Sequence, residues 1–277
     1  MTDDRADALL AYALMVTRDQ GIASEAVHDA LVASTALADR SPHSDHLVWL
    51  LSLTRTECLR QLRARTIFID TSLPVTPVAD PFDVLTPGDR DALCLMRRSD
   101  VSAGEGARAM GCREGEARNR ATNAQKSWSE AAAVLALLTA DPSVCPVVDQ
   151  VLVEVAESRG LLTPAARRRL QRHAGTCSRC RTVFMPMRAE SRELLDIPTS
   201  VPVPAGLLTR IEETRSDAAR TAHLGNRVGA LDDWGFPVPP DRADRDPSSW
   251  LRWGAIAAVV SAALLLVGLV AFALASR

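Results

Sequence analysis

Hydrophobic positions along the chain recur at helical spacing and almost never alternate, so the pattern predicts an all-α protein. Residues 6 to 65 carry this period through "SEAVHDALVASTAL" and "DHLVWLLSLTRTECLRQLRAR", which suggests a small helical bundle. Residues 86 to 131 predict three shorter helices. Pro87 stands near the first position of the opening one, and Gly111 separates "SAGEGARAM" from "REGEARNRATNAQKSW", a pair with helix-turn-helix dimensions. The segment "VVDQVLVEVAESRGLL" is apolar-periodic and long enough to be a helix that folds back. The run from Gly254 to Ala275, "GAIAAVVSAALLLVGLVAFALA", has 22 residues without a charge. At about 1.5 Å per residue it spans roughly 33 Å, enough to cross a bilayer core. A buried helix of that length would normally show a polar stripe, and only Ser261 interrupts this one, so the pattern predicts a transmembrane helix.

Three stretches break the periodicity: "DTSLPVTPVADPFD" (70 to 83), "TADPSVCP" (139 to 146) and "DDWGFPVPPDRADRDPSS" (232 to 249). They divide the chain into a helical bundle (1–66), a linker (67–84), a helix-turn-helix unit (85–138), a third helical unit (139–215), a flexible tether (216–249), and the span with a short tail (250–277).

Composition narrows the function. A net charge of −2 excludes a polybasic nucleic-acid binder by bulk charge, so any DNA contact must come from a local patch. Two patches qualify. Arg113, Arg118, Arg120 and Lys126 stand against Glu114 and Glu116 on the second helix of the helix-turn-helix pair, and Arg55, Arg60, Arg63 and Arg65 stand against Glu57 at the end of the first bundle. A solvated helix face would carry the same residues. Arg242, Arg245 and Arg252 precede the apolar run and Arg277 follows it, a bias that favours a cytoplasmic N-terminal body, with Trp250 and Trp253 at the interface. The opening "MTDDRADALLAYALM" is acidic and amphipathic, unlike a signal peptide.

The stretch "HAGTCSRC" places His173 one helical turn before Cys177 and makes a C-x-x-C pair of Cys177 and Cys180. Imidazole and thiolate at this spacing suit structural zinc, which needs four ligands, and Cys145, ahead of the fold-back segment, is the natural fourth. A thioredoxin-like redox pair is the other reading, but it needs a βαβ context that the pattern lacks. Cys58, Cys94 and Cys112 sit singly in predicted amphipathic helices, where a lone cysteine is a small buried hydrophobe. Seven arginines and no acid occupy residues 159 to 181, either as a solvated face or as a dock for an acidic surface of the first bundle that includes Glu25 and Asp29. No Ser-His-Asp order, phosphate loop or carboxylate pair stands in a catalytic context, so neither an enzyme nor a small-molecule substrate is expected.

Read together, these segments resemble the extracytoplasmic-function sigma factors of bacterial RNA polymerase over roughly residues 6 to 131. "AYALMVTRDQGIASEAVHDALVAS" is similar to the start of their second conserved region, with Glu25, Val27, His28, Asp29 and Ala30 at the D, V, Q, E and A of D-L-V-Q-E-A-F-L. "WLLSLTRTECLRQLRAR" is similar to the following W-L-x-x-I-A-R-N segment, matched at Trp49, Leu50, Arg55, Leu62 and Arg63. "LTPGDRDALCL" with "SAGEGARAMGCREGEARNR" resembles the fourth region, with Ser102, Glu105, Ala107, Gly111, Glu114, Gly115, Arg118 and Arg120 in register. Residues 140 to 215 resemble the zinc-binding anti-sigma domain, with its H-x-x-x-C-x-x-C signature and an upstream ligand.

The resemblance implies a sigma factor and its inhibitor in one polypeptide, anchored by residues 254–275 in the inner (cytoplasmic) membrane. It implies core RNA polymerase as a partner through Glu25, His28 and Asp29. Promoter DNA would be read through Arg113, Arg118, Arg120, Lys126, Arg60 and Arg63, and a zinc domain would mask the chain's own sigma-like units or a separate sigma factor. A membrane-anchored anti-sigma or scaffold protein with degenerate sigma-like units is the alternative. Asn123 and Gln125 stand where the family carries arginines, which lowers the expected DNA affinity. Gly106 replaces a core isoleucine, at an expected helix cost of about 1 kcal/mol.

Overall fold

Helix α1 (Ala6–Thr17) ends where Arg18 turns left-handed at φ 57° and returns its N–H to the Leu14 carbonyl at 2.9 Å. Asp19 then caps α2 (Gln20–Ala36) by accepting from the Ile22 amide at 2.9 Å. The computed structural model describes residues 5–42, 46–68, 80–140, 145–157 and 162–239, and those up to Pro237 form one compact unit. Among the described residues the secondary structure is helical, apart from one bridge between Leu231 and Pro237, which makes the protein all-α as expected. The apolar run 254–275 lies outside the described residues, and no helix within them is long and apolar enough to cross a membrane.

The remaining helices are α3 (His46–Phe68), α4 (Pro87–Arg97), α5 (Ala103–Ala109), α6 (Glu114–Thr139), α7 (Pro146–Glu157), α8 (Pro164–Thr176), α9 (Ser178–Leu194), α10 (Ala205–Ser216) and α11 (Ala218–Arg227). Thr86 caps α4 with Pro87 at its first position. Ser102 and Glu105 form a reciprocal capping box at α5, and Gly111 makes the turn into α6 at φ 63°. Two residues on which the fourth-region resemblance rests, Ser102 and Glu105, thus have a local helix-starting role. Gly106 also has a packing role, because a Cβ there would stand 2.8 Å from the Leu95 carbonyl oxygen. Glycine lets α5 lie against α4, where the sequence had suggested only a lost core side chain.

Two hydrophobic cores result. The larger gathers α1 to α5, the first half of α6 through Ala117, Ala121 and Ala124, and a distant segment from Leu195 to Phe236. The smaller gathers Ala133, Val134 and Leu137 of α6 with α7, α8 and α9. Helix α6, 26 residues and about 39 Å long, belongs to both. The expected boundary at 138/139 therefore falls at the end of a helix whose last turns already sit in the second core.

Two other expected boundaries differ from the structure. The linker read over 67–84 is narrower: α3 runs to Phe68, and a 3-10 turn at Pro81–Val84 buries Phe82 against Trp128, ring centroids 5.8 Å apart. The tether read from 216 begins instead with α11 and a packed segment. Small residues explain this, because a Cβ on Gly225 would come within 2.6 Å of the Ala36 Cβ, so glycine lets α11 lie directly on α2. Beyond α11, Gly235 adopts φ 81°, Phe236 is buried, and Trp49 Nε1 donates to the Gly235 carbonyl at 2.9 Å.

Candidate functional site

Three local devices bring the sulfur and nitrogen ligands together. Cys145 stands at the start of α7, its carbonyl accepting from the Val148 amide at 3.0 Å. Thr163 and Pro164 start α8, whose last turn carries His173. Cys177 ends α8 by donating its N–H to the His173 carbonyl at 2.8 Å and opens α9, whose first turn carries Cys180. The ligand atoms of Cys145, His173, Cys177 and Cys180 all lie within 4.8 Å of one another, with Cys145 Sγ 3.0 Å from His173 Nε2. A tetrahedral site with metal–sulfur bonds near 2.3 Å and a metal–nitrogen bond near 2.0 Å needs ligand separations of roughly 3.5–3.8 Å. The donor set fits one metal ion, including the fourth ligand expected from sequence. The Cys180 backbone amide holds the Cys177 thiol below its ordinary pKa, while burial and the neighbouring thiols push Cys180 up to about 12.

The residues assigned by resemblance to polymerase lie on α2: His28 and Asp29 are buried, and Glu25 stays exposed at the edge with an ion-pair partner. Arg210 of α10 pairs with Glu25 at 2.8 Å. His28 places Nδ1 2.9 Å from Asp29 Oδ1 and Nε2 2.9 Å from Thr214 Oγ1. Arg227 of α11 pairs with Asp29 at 2.5 Å and with the buried Glu57 at 2.9 Å. Arg215 donates to the Leu31 carbonyl at 3.2 Å. Burial alone would raise the Asp29 carboxyl, but the hydrogen bonds from His28 and Arg227 outweigh it and hold the carboxyl below its ordinary range. Glu25, His28 and Asp29 also lie close enough together to suggest a cation site. Guanidinium groups already supply the positive charge there.

The expected DNA contacts divide. Arg118 and Lys126 are exposed on α6, Arg113 is exposed just before its first residue, and Arg63 is exposed on α3. Arg118 and Arg120 pair one turn back with Glu114 and Glu116, the second pair at 3.4 Å. Arg60 instead turns into the covered cluster, 2.7 Å from Glu57 and 3.5 Å from Asp29. The guanidinium partners of Glu25 and Asp29 are Arg210, Arg60 and Arg227, outside the arginine-rich stretch 159 to 181. Arg169 pairs with Glu154 at 2.6 Å, and Arg168, Arg172, Arg179 and Arg181 are exposed.

The covering residues Arg210, Thr214, Gly225, Arg227 and Gly235 were not legible as a site. One signal was present: apart from Gln20, Glu25, His28 and Asp29 the residues of α2 are small or apolar, and its stretch Ala26–Ser34 is buried without a break. Comparisons with protein-family models, with curated proteins and with solved structures find no match to this chain.

Proposed function

We propose that the protein is a membrane-tethered, sigma-factor-like transcription regulator whose polymerase-binding surface is held closed by its own C-terminal helices. The observation that carries this reading is the cover on α2. Every residue that the sigma-factor resemblance assigns to polymerase is engaged by α10–α11 through Arg210, Thr214 or Arg227. The metal is zinc, by the preference of three thiolates and an imidazole. Its role is to fold the smaller core, from which the chain runs back to the larger one. Inhibition in cis then needs only modest intrinsic affinity, because a linked partner acts at an effective concentration of about millimolar. Residues 254–275 anchor the body to the membrane, and the body reaches promoter DNA through Arg113, Arg118 and Lys126.

A second reading, an anti-sigma or scaffold protein without DNA binding, is favoured by the carboxylate partners that Arg118 and Arg120 already have on their own helix. A pull-down with core RNA polymerase tests the first reading. The full chain carrying Arg210→Glu and Arg227→Glu should retain polymerase better than the wild type. Equal, negligible retention by both, with helical content unchanged, would leave the scaffold reading in place.

A further inference from the structure

Helix α4 belongs by sequence to the helix-turn-helix unit, yet it packs on α1, while α5 packs on α3. The seam closes on Asp91, whose side chain is 0% exposed. Tyr12 Oη donates to Asp91 Oδ1 at 2.7 Å, and Arg55 Nε donates to Oδ2 at 2.7 Å. Burial, and then the neighbouring carboxylate, push the Tyr12 hydroxyl well above its ordinary pKa, so it remains a donor. A buried carboxylate is tolerated only when its oxygens are met, so one arrangement of α1, α3 and α4 satisfies this network and a displaced α4 does not.

The same seam is tied to α10–α11, the clamp on α2. At the end of α4, the fully buried side chain of Arg98 pairs with Asp100 at 2.7 Å and donates to the Thr199 carbonyl at 3.0 Å and to the Ala8 carbonyl at 3.4 Å. Thr199 lies in the extended segment that carries the chain from α9 to α10. Asp7 of α1 holds that segment as well, its carbonyl accepting from the Val201 amide at 3.1 Å and its side chain from the Val203 amide at 2.9 Å.

We propose that closure of α4–α5 onto α1–α3 and docking of α10–α11 onto α2 are a single coupled event. Asp91 is the latch between the two N-terminal units, and Arg98 links that latch to the segment that delivers the clamp. Only the regulatory meaning rests on the sigma-like reading: a latched pair cannot spread over two separated promoter elements, and unlatching would also free the polymerase surface.

Two native thiols report on the seam. Cys58 of α3 and Cys94 of α4 are fully buried beside Asp91, and burial pushes the Cys94 thiol up to about 12, so both should react slowly while the seam is closed. The test uses the full chain, with thiol alkylation and amide exchange read peptide by peptide, and needs no polymerase. Asp91→Asn should speed labelling of Cys58 and Cys94 by about a hundredfold and also speed amide exchange in α10–α11, because local opening follows the free energy of the broken network. Tyr12→Phe, which keeps the Asp91–Arg55 pair, should give a smaller acceleration at the same positions, and it keeps the test decisive if Asp91→Asn loses far-ultraviolet ellipticity. Slow labelling in both variants would overturn the latch. Fast labelling with α10–α11 exchange unchanged would overturn the coupling.

Discussion

The two hydrophobic cores solve the problem of a small interior differently. The larger core buries Trp49, Tyr12, Phe236 and a set of leucines, and it closes its seams with buried ionic groups: Asp91 between Tyr12 and Arg55, and Glu57 between Arg60 and Arg227. Among the described residues the smaller core has one buried aromatic, Phe184, with alanines, valines, leucines and the cysteines Cys145 and Cys180. Its helices α7, α8 and α9 meet at the Cys145, His173, Cys177 and Cys180 cluster. A core of that size needs a staple, and a metal held by this cluster would supply it. Glu57 has two guanidinium partners, Arg60 and Arg227, and keeps one when the other leaves, whereas the four-ligand cluster forms or fails as a whole.

The largest expected effect is on the smaller core. Replacing Cys177 and Cys180 together with Ser should remove the metal and melt α7–α9, because structural zinc contributes on the order of 10–16 kcal/mol. Metal content per chain and amide exchange are the readouts, and α1–α3 should keep their protection. Next is Arg227→Ala, which takes one cation from the buried Glu57 and from Asp29. It should cost the larger core about 2–3 kcal/mol in denaturant unfolding, with the metal retained. Gly235→Ala should cost about 1–3 kcal/mol, since the position has φ 81° and an added Cβ would stand 2.1 Å from the Arg40 carbonyl oxygen.

A smaller effect is pH-dependent. The folded Asp29 carboxyl lies below its ordinary value of 3.8, so its contribution is fully present above that value and is lost as pH falls through the lower folded one. Clamp protection should therefore be flat from neutral pH to about 4 and fall below it, and Asp29→Asn should remove that step. The smallest effect belongs to Arg118→Ala with Arg120→Ala. These exposed pairs with Glu114 and Glu116 should change stability by no more than about 0.5 kcal/mol each, so a loss of DNA binding in that variant reports contact rather than folding.

The metal cluster was legible because its signal is local. His173, Cys177 and Cys180 fall within eight positions, and Cys145 needed only one fold-back helix. The all-α class and the helix-turn-helix turn at Gly111 were legible for the same reason, since period, cap and glycine sit in short windows. The clamp was not. Its contacts join residues nearly two hundred positions apart, and they are made by Arg227, Thr214 and Gly225, residue types that read as surface or as loop. The charge density of the arginine-rich stretch 159 to 181 is visible in sequence. Which guanidinium reaches Asp29 is decided by where Gly225 lets α11 lie.

The most direct test of a covered polymerase surface is amide exchange of the full wild-type chain with and without saturating core RNA polymerase. Polymerase binding should strip protection from α10–α11 while α7–α9 stay protected. Polymerase bound with α10–α11 protection unchanged, or no binding even when Arg210→Glu and Arg227→Glu have opened the clamp, would contradict it.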